Sequence, residues 1–299
     1  MKLFLILELL LMVAFLVLLE RKILGLLQLR KGPNIVGFYG LVQTVADGIK
    51  LVMKEILFTK NKRVLFFFFA PVFSIVLSLS IWEFLPRVSV ISGNVLLVLI
   101  LSSISVFVII GASWGSDNVY ALIRGVRATA QMCSYEVVIF LFMGVFLFIS
   151  VCLDWEGVIL FQSYGYCYFW LFGFFFFFVW LRIILAELNR TPFDLVERES
   201  ELVGGFNVEY ASFGFTLFFL AEYINIWFMS FLTCFLFFPF MDSIFHISLG
   251  VFCVVVLNLF LRGLLPRFKF FDLIFLTWGV FLPVVLFVLL VVGFILFLF

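Results

Sequence analysis

Apolar runs of about 20 residues recur along the whole chain, near 3–19, 64–86, 88–110, 131–153, 158–181, 211–241, 244–261 and 273–299. As helix, each run crosses a ~30 Å hydrocarbon core while bonding its own backbone polar groups. Eight such runs leave little room for any other fold. Composition agrees, with 66% of the 299 residues hydrophobic, 12% charged and a mean hydropathy of +1.31, far from a soluble domain. The alternating pattern of a membrane barrel is absent. The expected fold class is an all-α polytopic membrane protein, one membrane domain over residues 1–299 with about eight transmembrane helices.

Basic residues set the orientation. With eight spans both termini share a side, and that side keeps only Lys2 and Arg87, while the other seventeen Lys and Arg fall after spans one, three, five and seven. Those four connections, 20–63, 111–130, 186–212 and 262–272, are the inner loops, facing cytoplasm or mitochondrial matrix. The first span is read as retained, because Glu8 interrupts it and no small-residue cleavage site follows. A net charge of +1 predicts no nucleic-acid partner. The 47 Phe residues suit mutational drift in a T-rich organelle genome, with a bacterial plasma membrane as the alternative. Cys133, Cys152, Cys167, Cys234 and Cys253 show no CxxC spacing and His246 is alone, so no metal site is expected.

The first inner loop opens with Glu20-Arg21-Lys22 and a basic turn, Arg30-Lys31-Gly32-Pro33-Asn34. A helix from about Gly40 to Leu57 would place Leu41, Val45, Ile49, Val52 and Ile56 on one face and Asp47, Lys50 and Lys54 on the other. That pattern predicts an amphipathic helix lying in the membrane interface. An i,i+3 pair with Lys50 is a local explanation for Asp47.

Six of the 18 acidic residues crowd into the 25 positions AELNRTPFDLVERESELVGGFNVEY, from Ala186 to Tyr210. They are Glu187, Asp194, Glu197, Glu199, Glu201 and Glu209. Thr191-Pro192-Phe193-Asp194 reads as a helix start, with Thr191 as cap, Pro192 in the first helical position and Asp194 in the capping-box place. Glu197, Glu199 and Glu201 repel one another unless a proton or a cation such as Arg190 or Arg198 intervenes. Two further acids, Glu136 and Glu222, fall inside spans, where a carboxylate costs at least ~2.5–3.5 kcal/mol and is expected to face the bundle interior. Proton relay is one reading, and a structural hydrogen bond between helices is the other.

Four segments, LLERKILGLLQLRKGPNIVGFYG with ADGIKLVMKE, YALIRGVRATAQMCSYEV, the acidic insert with AEYINI, and RGLLPRFKFFDLIFLTWGVFLP, together resemble the subunit 1 family of proton-pumping NADH:quinone oxidoreductases, respiratory complex I, which has mitochondrial and bacterial members. The resemblance implies a subunit of the H+-translocating enzyme with ubiquinone as substrate. It implies no redox centre or NADH site in this chain, since flavin and iron–sulfur clusters belong to partner subunits. Expected partners are the quinone-site subunits of the peripheral arm, neighbouring membrane-arm subunits and membrane lipid. The match assigns Glu20, Arg21, Asp47, Arg190, Asp194, Arg262 and Arg267 to the quinone chamber and inner loops. It assigns Glu136, Glu187, Glu197, Glu199, Glu201, Glu209 and Glu222 to a proton pathway, with no catalytic or metal-ligating residue.

The chain departs from the family pattern at Arg124 and Arg198, where Gly is common, and around Lys269, Phe271, Asp272 and Gly279, which bears on the ion pairs of the inner loops. Membrane-bound hydrogenases with a homologous subunit, and a stand-alone ion transporter, are the alternative functions. The transporter would call for repeated, broken helices around a midplane site, and no internal repeat is visible.

Overall fold

The computed structural model describes residues 2–55, 63–85, 93–164, 168–194, 209–238 and 244–298, and these are all-α. The order is α1 (Lys2–Leu27), a 3-10 turn (Phe38–Gly40), α2 (Gln43–Val52), α3 (Val64–Trp82), α4 (Asn94–Gly115), α5 (Val119–Ser150) and α6 (Trp155–Tyr164). Then come α7 (Tyr168–Glu187), α8 (Phe213–Phe237), α9 (Ile244–Leu264), α10 (Phe270–Leu276), a π turn (Thr277–Phe281) and α11 (Leu282–Leu298). Among the described residues six helical rods, α3, α4, α5, α8, α9 and the joined α10–α11, are long and apolar enough to cross a membrane. At 26 and 20 residues, α1 and α7 also have the length of a span.

Helix α5 departs most from the apolar pattern. It starts at Val119, twelve residues before the run expected at 131–153, because Asn118 caps it through a bond from Tyr120 N (3.1 Å) and the segment ALIRGVRATAQ, though polar, favours helix. Its 32 residues reach ~48 Å at 1.5 Å per residue. The connection expected at 111–130 is therefore mostly helical, with residues 116–118 as its corner. Similarly, the run at 158–181 is divided into the short α6 and the longer α7, which continues to Glu187. In the last rod Pro283 offers no N–H to the Gly279 carbonyl, and the backbone widens into the π turn just before it.

The core is centred on α5, α7 and α8, where Phe142 stacks on Phe176 (4.4 Å) and Trp180 (4.7 Å). Phe107, Phe175 and Phe287 instead point outward, each about two-thirds exposed, as expected for side chains facing lipid. Gly115 lets α3 approach α4, since a Cβ there would meet Phe67 N at 2.8 Å.

The first inner loop begins with a tight reversal. Gly40 adopts φ +75°, and any Cβ would strike the Pro33 carbonyl oxygen at 2.3 Å. Helix α2 is shorter than the pattern suggested, and Val45, Ile49 and Val52 remain exposed along one face. Ser212 fastens its C-terminal end to α8 by donating to the carbonyls of Leu51 (3.1 Å) and Lys54 (2.6 Å).

Candidate functional site

Helix α7 ends in a hydrogen-bonded cap that aims the following residues. Asn189 takes φ +50°, its N–H reaches Ala186 O (3.2 Å), and Arg190 N–H reaches Leu185 O (3.2 Å). This is the Schellman arrangement, with Asn as one of the few non-Gly residues that tolerate the left-handed conformation. A turn follows, closed by Phe193 N–H to Arg190 O (2.8 Å), with Thr191–Pro192 in cis. The expected helix start at Thr191 is thus replaced by a turn through residues 191–194. Thr191 is not a cap, because its hydroxyl donates to Arg262 O (3.0 Å), and Pro192 accepts from Phe268 N–H (3.0 Å). The turn is sewn to the connection after α9.

That seam brings charges from four elements together. Glu20 of α1 is buried, and its carboxylate accepts from Tyr223 Oη of α8 (2.6 Å) and from Arg190 (3.4 Å), and also pairs with Arg262 of α9. Arg190 further lies over the Tyr223 ring at 4.7 Å, a cation–π contact strengthened by burial. Asp194, 2% exposed, faces Arg267 at 3.7 Å. On the outer flank Asp47 accepts from Arg21 (2.5 Å) and Gln43 (3.0 Å), rather than pairing with Lys50.

A cavity of about 110 Å³ adjoins this cluster, large enough for several water molecules. Arg190, Glu187, Asn189, Glu222 and Asn225 line one side, and Ser74, Ser78, Ser102 and Ser105 the other. The four hydroxyls donate to carbonyls of their own helices at 2.6–3.0 Å, so their oxygens present lone pairs. Glu187 Oε2, Asn189 Oδ1 and Asn225 Oδ1 have no protein hydrogen-bond partner. Buried oxygens in that condition call for donors, and a cavity of this size has room for water to supply them. Ser102 also lies 3.4 Å from Glu136 Oε1, which connects that acid to the cavity wall.

Glu209 is held elsewhere, accepting from Asn118 Nδ2 (3.0 Å) at the α4–α5 corner. Next to it Tyr210 stacks on Phe67 (4.2 Å) and donates to Ala112 O (3.2 Å), and burial pushes its phenol well above the usual range. Glu197, Glu199, Glu201 and Arg198 lie outside the described residues. Among the described residues no group of three metal-capable side chains occurs.

Sequence reasoning missed Tyr223, Asn189, Asn225, the four serines and Gln131 as parts of this region. For the serines and Asn225 a signal was present, as polar residues three or four apart within apolar helices: Ser74 with Ser78, Ser102 with Ser105, and Glu222 with Asn225.

A family model described as NADH dehydrogenase matches residues 1–293. NADH-ubiquinone oxidoreductase chain 1 of Aedes aegypti is 44% identical over 277 residues, 91% of this chain and 87% of the relative. Its counterparts in Lampetra fluviatilis (42% over 291 residues, 94% and 90%) and Patiria pectinifera (43% over 286 residues, 92% and 87%) are similarly close. Matched over nearly its whole length, this chain belongs to the NADH dehydrogenase family, in the branch of NADH-ubiquinone oxidoreductase chain 1.

Proposed function

We propose that this chain forms the membrane part of the ubiquinone chamber of NADH-ubiquinone oxidoreductase and the start of an acidic proton-coupling path, where the peripheral electron-transfer arm joins the membrane arm. Family membership makes it a complex I membrane subunit. Its apolar helices and animal relatives make it a multi-pass protein of the mitochondrial inner membrane. Ubiquinone is the substrate in this reading, taking two electrons from partner subunits and two protons to become ubiquinol. The other complex I subunits at this junction, from both arms, are the partners.

One observation carries the reading: Arg190 pairs with buried Glu20 and also lines the cavity that holds Glu187 and Glu222. A change of charge at a quinone beside Glu20, Arg190 and Arg262 acts on those carboxylates through a low-dielectric interior, where coupling is strong. Proton uptake by the quinone then biases proton exchange at Glu187 and Glu222 through cavity water, with Glu136 joined through Ser102. Electrons never enter this chain.

Arg262→Met in the intact complex tests the chamber assignment. In this reading Arg262 also polarises the quinone head, and loss of that charge-assisted bond, worth ~1.5–3 kcal/mol, predicts about a tenfold or larger rise in the KM for ubiquinone, with NADH oxidation by a hydrophilic acceptor unchanged. An unaltered KM in a fully assembled complex would remove this cluster from the chamber.

A further inference from the structure

We propose that Gln131 is the positioning residue for the Arg190–Asp194 turn, clipping it to α5 and thereby setting where the charges of the quinone-facing cluster stand. The inference rests on the chamber reading above and adds a residue to it.

Gln131 lies on α5, is 1% exposed, and sits 55 and 62 positions from its two partners. Its Nε2 donates to Ala186 O (3.1 Å) and to Phe193 O (3.0 Å). Both neighbours are carbonyl oxygens, which can only accept, so the orientation of the amide is fixed by chemistry. One side chain thus bonds two carbonyls, Ala186 O, which also accepts from Asn189 N–H, and Phe193 O, and they bracket the stretch carrying Glu187, Arg190 and the approach to Asp194. A buried primary amide inside an apolar helix is costly unless bonded. Here the bonding is on the donor side, since Gln131 Oε1 has no hydrogen-bond partner.

The geometry also gives the clip leverage. On its other side the turn is held by Thr191 to Arg262 O and by Phe268 to Pro192 O, so it is suspended between α5 and the end of α9 with the segment that follows it. Releasing the α5 side frees Arg190 from its alignment on Glu20 and Tyr223 without removing any charge. A residue that only filled space would leave that alignment intact when replaced by an apolar side chain of the same length.

Gln131→Met and Gln131→Glu in the intact complex form the test. Met keeps the length and volume but donates nothing, and loss of the two bonds is expected to raise the ubiquinone KM about fivefold or more while kcat changes less. Glu adds a readout internal to one preparation. Protonated, it still donates to one carbonyl, and ionised, it repels both, so its ubiquinone KM should climb with pH relative to the parent enzyme. The charged neighbours, Glu187, Arg190 and Asp194 around the bonded carbonyls and Tyr135 and Glu136 further along α5, are present in both proteins, so the ratio isolates the new carboxylate together with its coupling to them. Parental KM in assembled Gln131→Met overturns the inference. If that variant does not assemble, a pH-independent KM ratio for Gln131→Glu overturns it. Arg190→Met is the reference: a raised KM there with parental behaviour in both Gln131 variants sinks the clip alone, whereas parental KM in Arg190→Met sinks the chamber reading.

Discussion

Around Glu20 the carboxylate has fixed partners, with Tyr223 at 2.6 Å, Arg190 at 3.4 Å and Arg262 closing the group, while around Glu187 a buried carboxylate oxygen and two amide oxygens have no protein hydrogen-bond partner beside the cavity. The two regions share Arg190 and each holds a buried glutamate, yet they differ in what completes them. Protein groups complete the first, which holds charge in place. In the proposed reading, cavity water completes the second and lets protons move. Burial alone therefore does not tell a proton path from a charge anchor; the inventory of donors does.

The largest effect should come from breaking the saturated side. Arg262→Met deprives a buried carboxylate of one counter-ion, a change that costs ~3–5 kcal/mol for a buried pair. The thermal stability of the assembled complex should fall, and Glu20→Gln combined with Arg262→Met should recover part of the loss. A double variant less stable than the single one would mean that the cluster is not organised around the Glu20 charge.

Changes on the water side should act on coupling more than on stability. Glu187→Gln keeps the size and removes the titration, so the complex is expected to assemble at parental levels with coupled turnover reduced several-fold. Loss of assembly instead would assign Glu187 a structural role like that of Glu20. Ser102→Ala is gentler, removing one hydroxyl beside Glu136, worth ~0.5–1.5 kcal/mol. Coupled turnover measured at matched quinone concentration should fall by a factor of a few.

The smallest effect is expected at the exposed pair. Arg21 and Asp47 are 45% and 35% exposed, so a double-mutant cycle should give only ~0.2–1 kcal/mol and shrink as salt is raised. A larger, salt-independent coupling would move this pair into the sealed cluster.

The apolar runs made the helical architecture legible, because a bilayer restricts the backbone to few solutions. Helix ends were less so. The polar start of α5 is set by the Asn118 cap and local propensity, neither of which an apolar-run count registers. The Thr191-Pro192-Phe193-Asp194 string was misread for a related reason: its local cap signal yields to tertiary bonds, from Thr191 to Arg262 O and from Phe268 N–H and Gln131 to the turn's own carbonyls, which only the folded chain supplies. Glu20, Arg190, Asp194, Arg262 and Arg267 were singled out from their motifs, and the structure joins them across 170 positions in the Glu20–Arg190 case. Tyr223 and Gln131 escaped notice because one phenol or one amide in an apolar helix carries no distinguishing pattern until its partners are known.

The most direct test of the proton path is the proton-to-electron ratio of complex I carrying Glu136→Gln, reconstituted in sealed liposomes with ubiquinone as acceptor. Normal assembly, a lowered ratio and impaired coupled turnover are the expected results. A parental ratio in that variant would contradict a path through Glu136, Ser102 and the cavity.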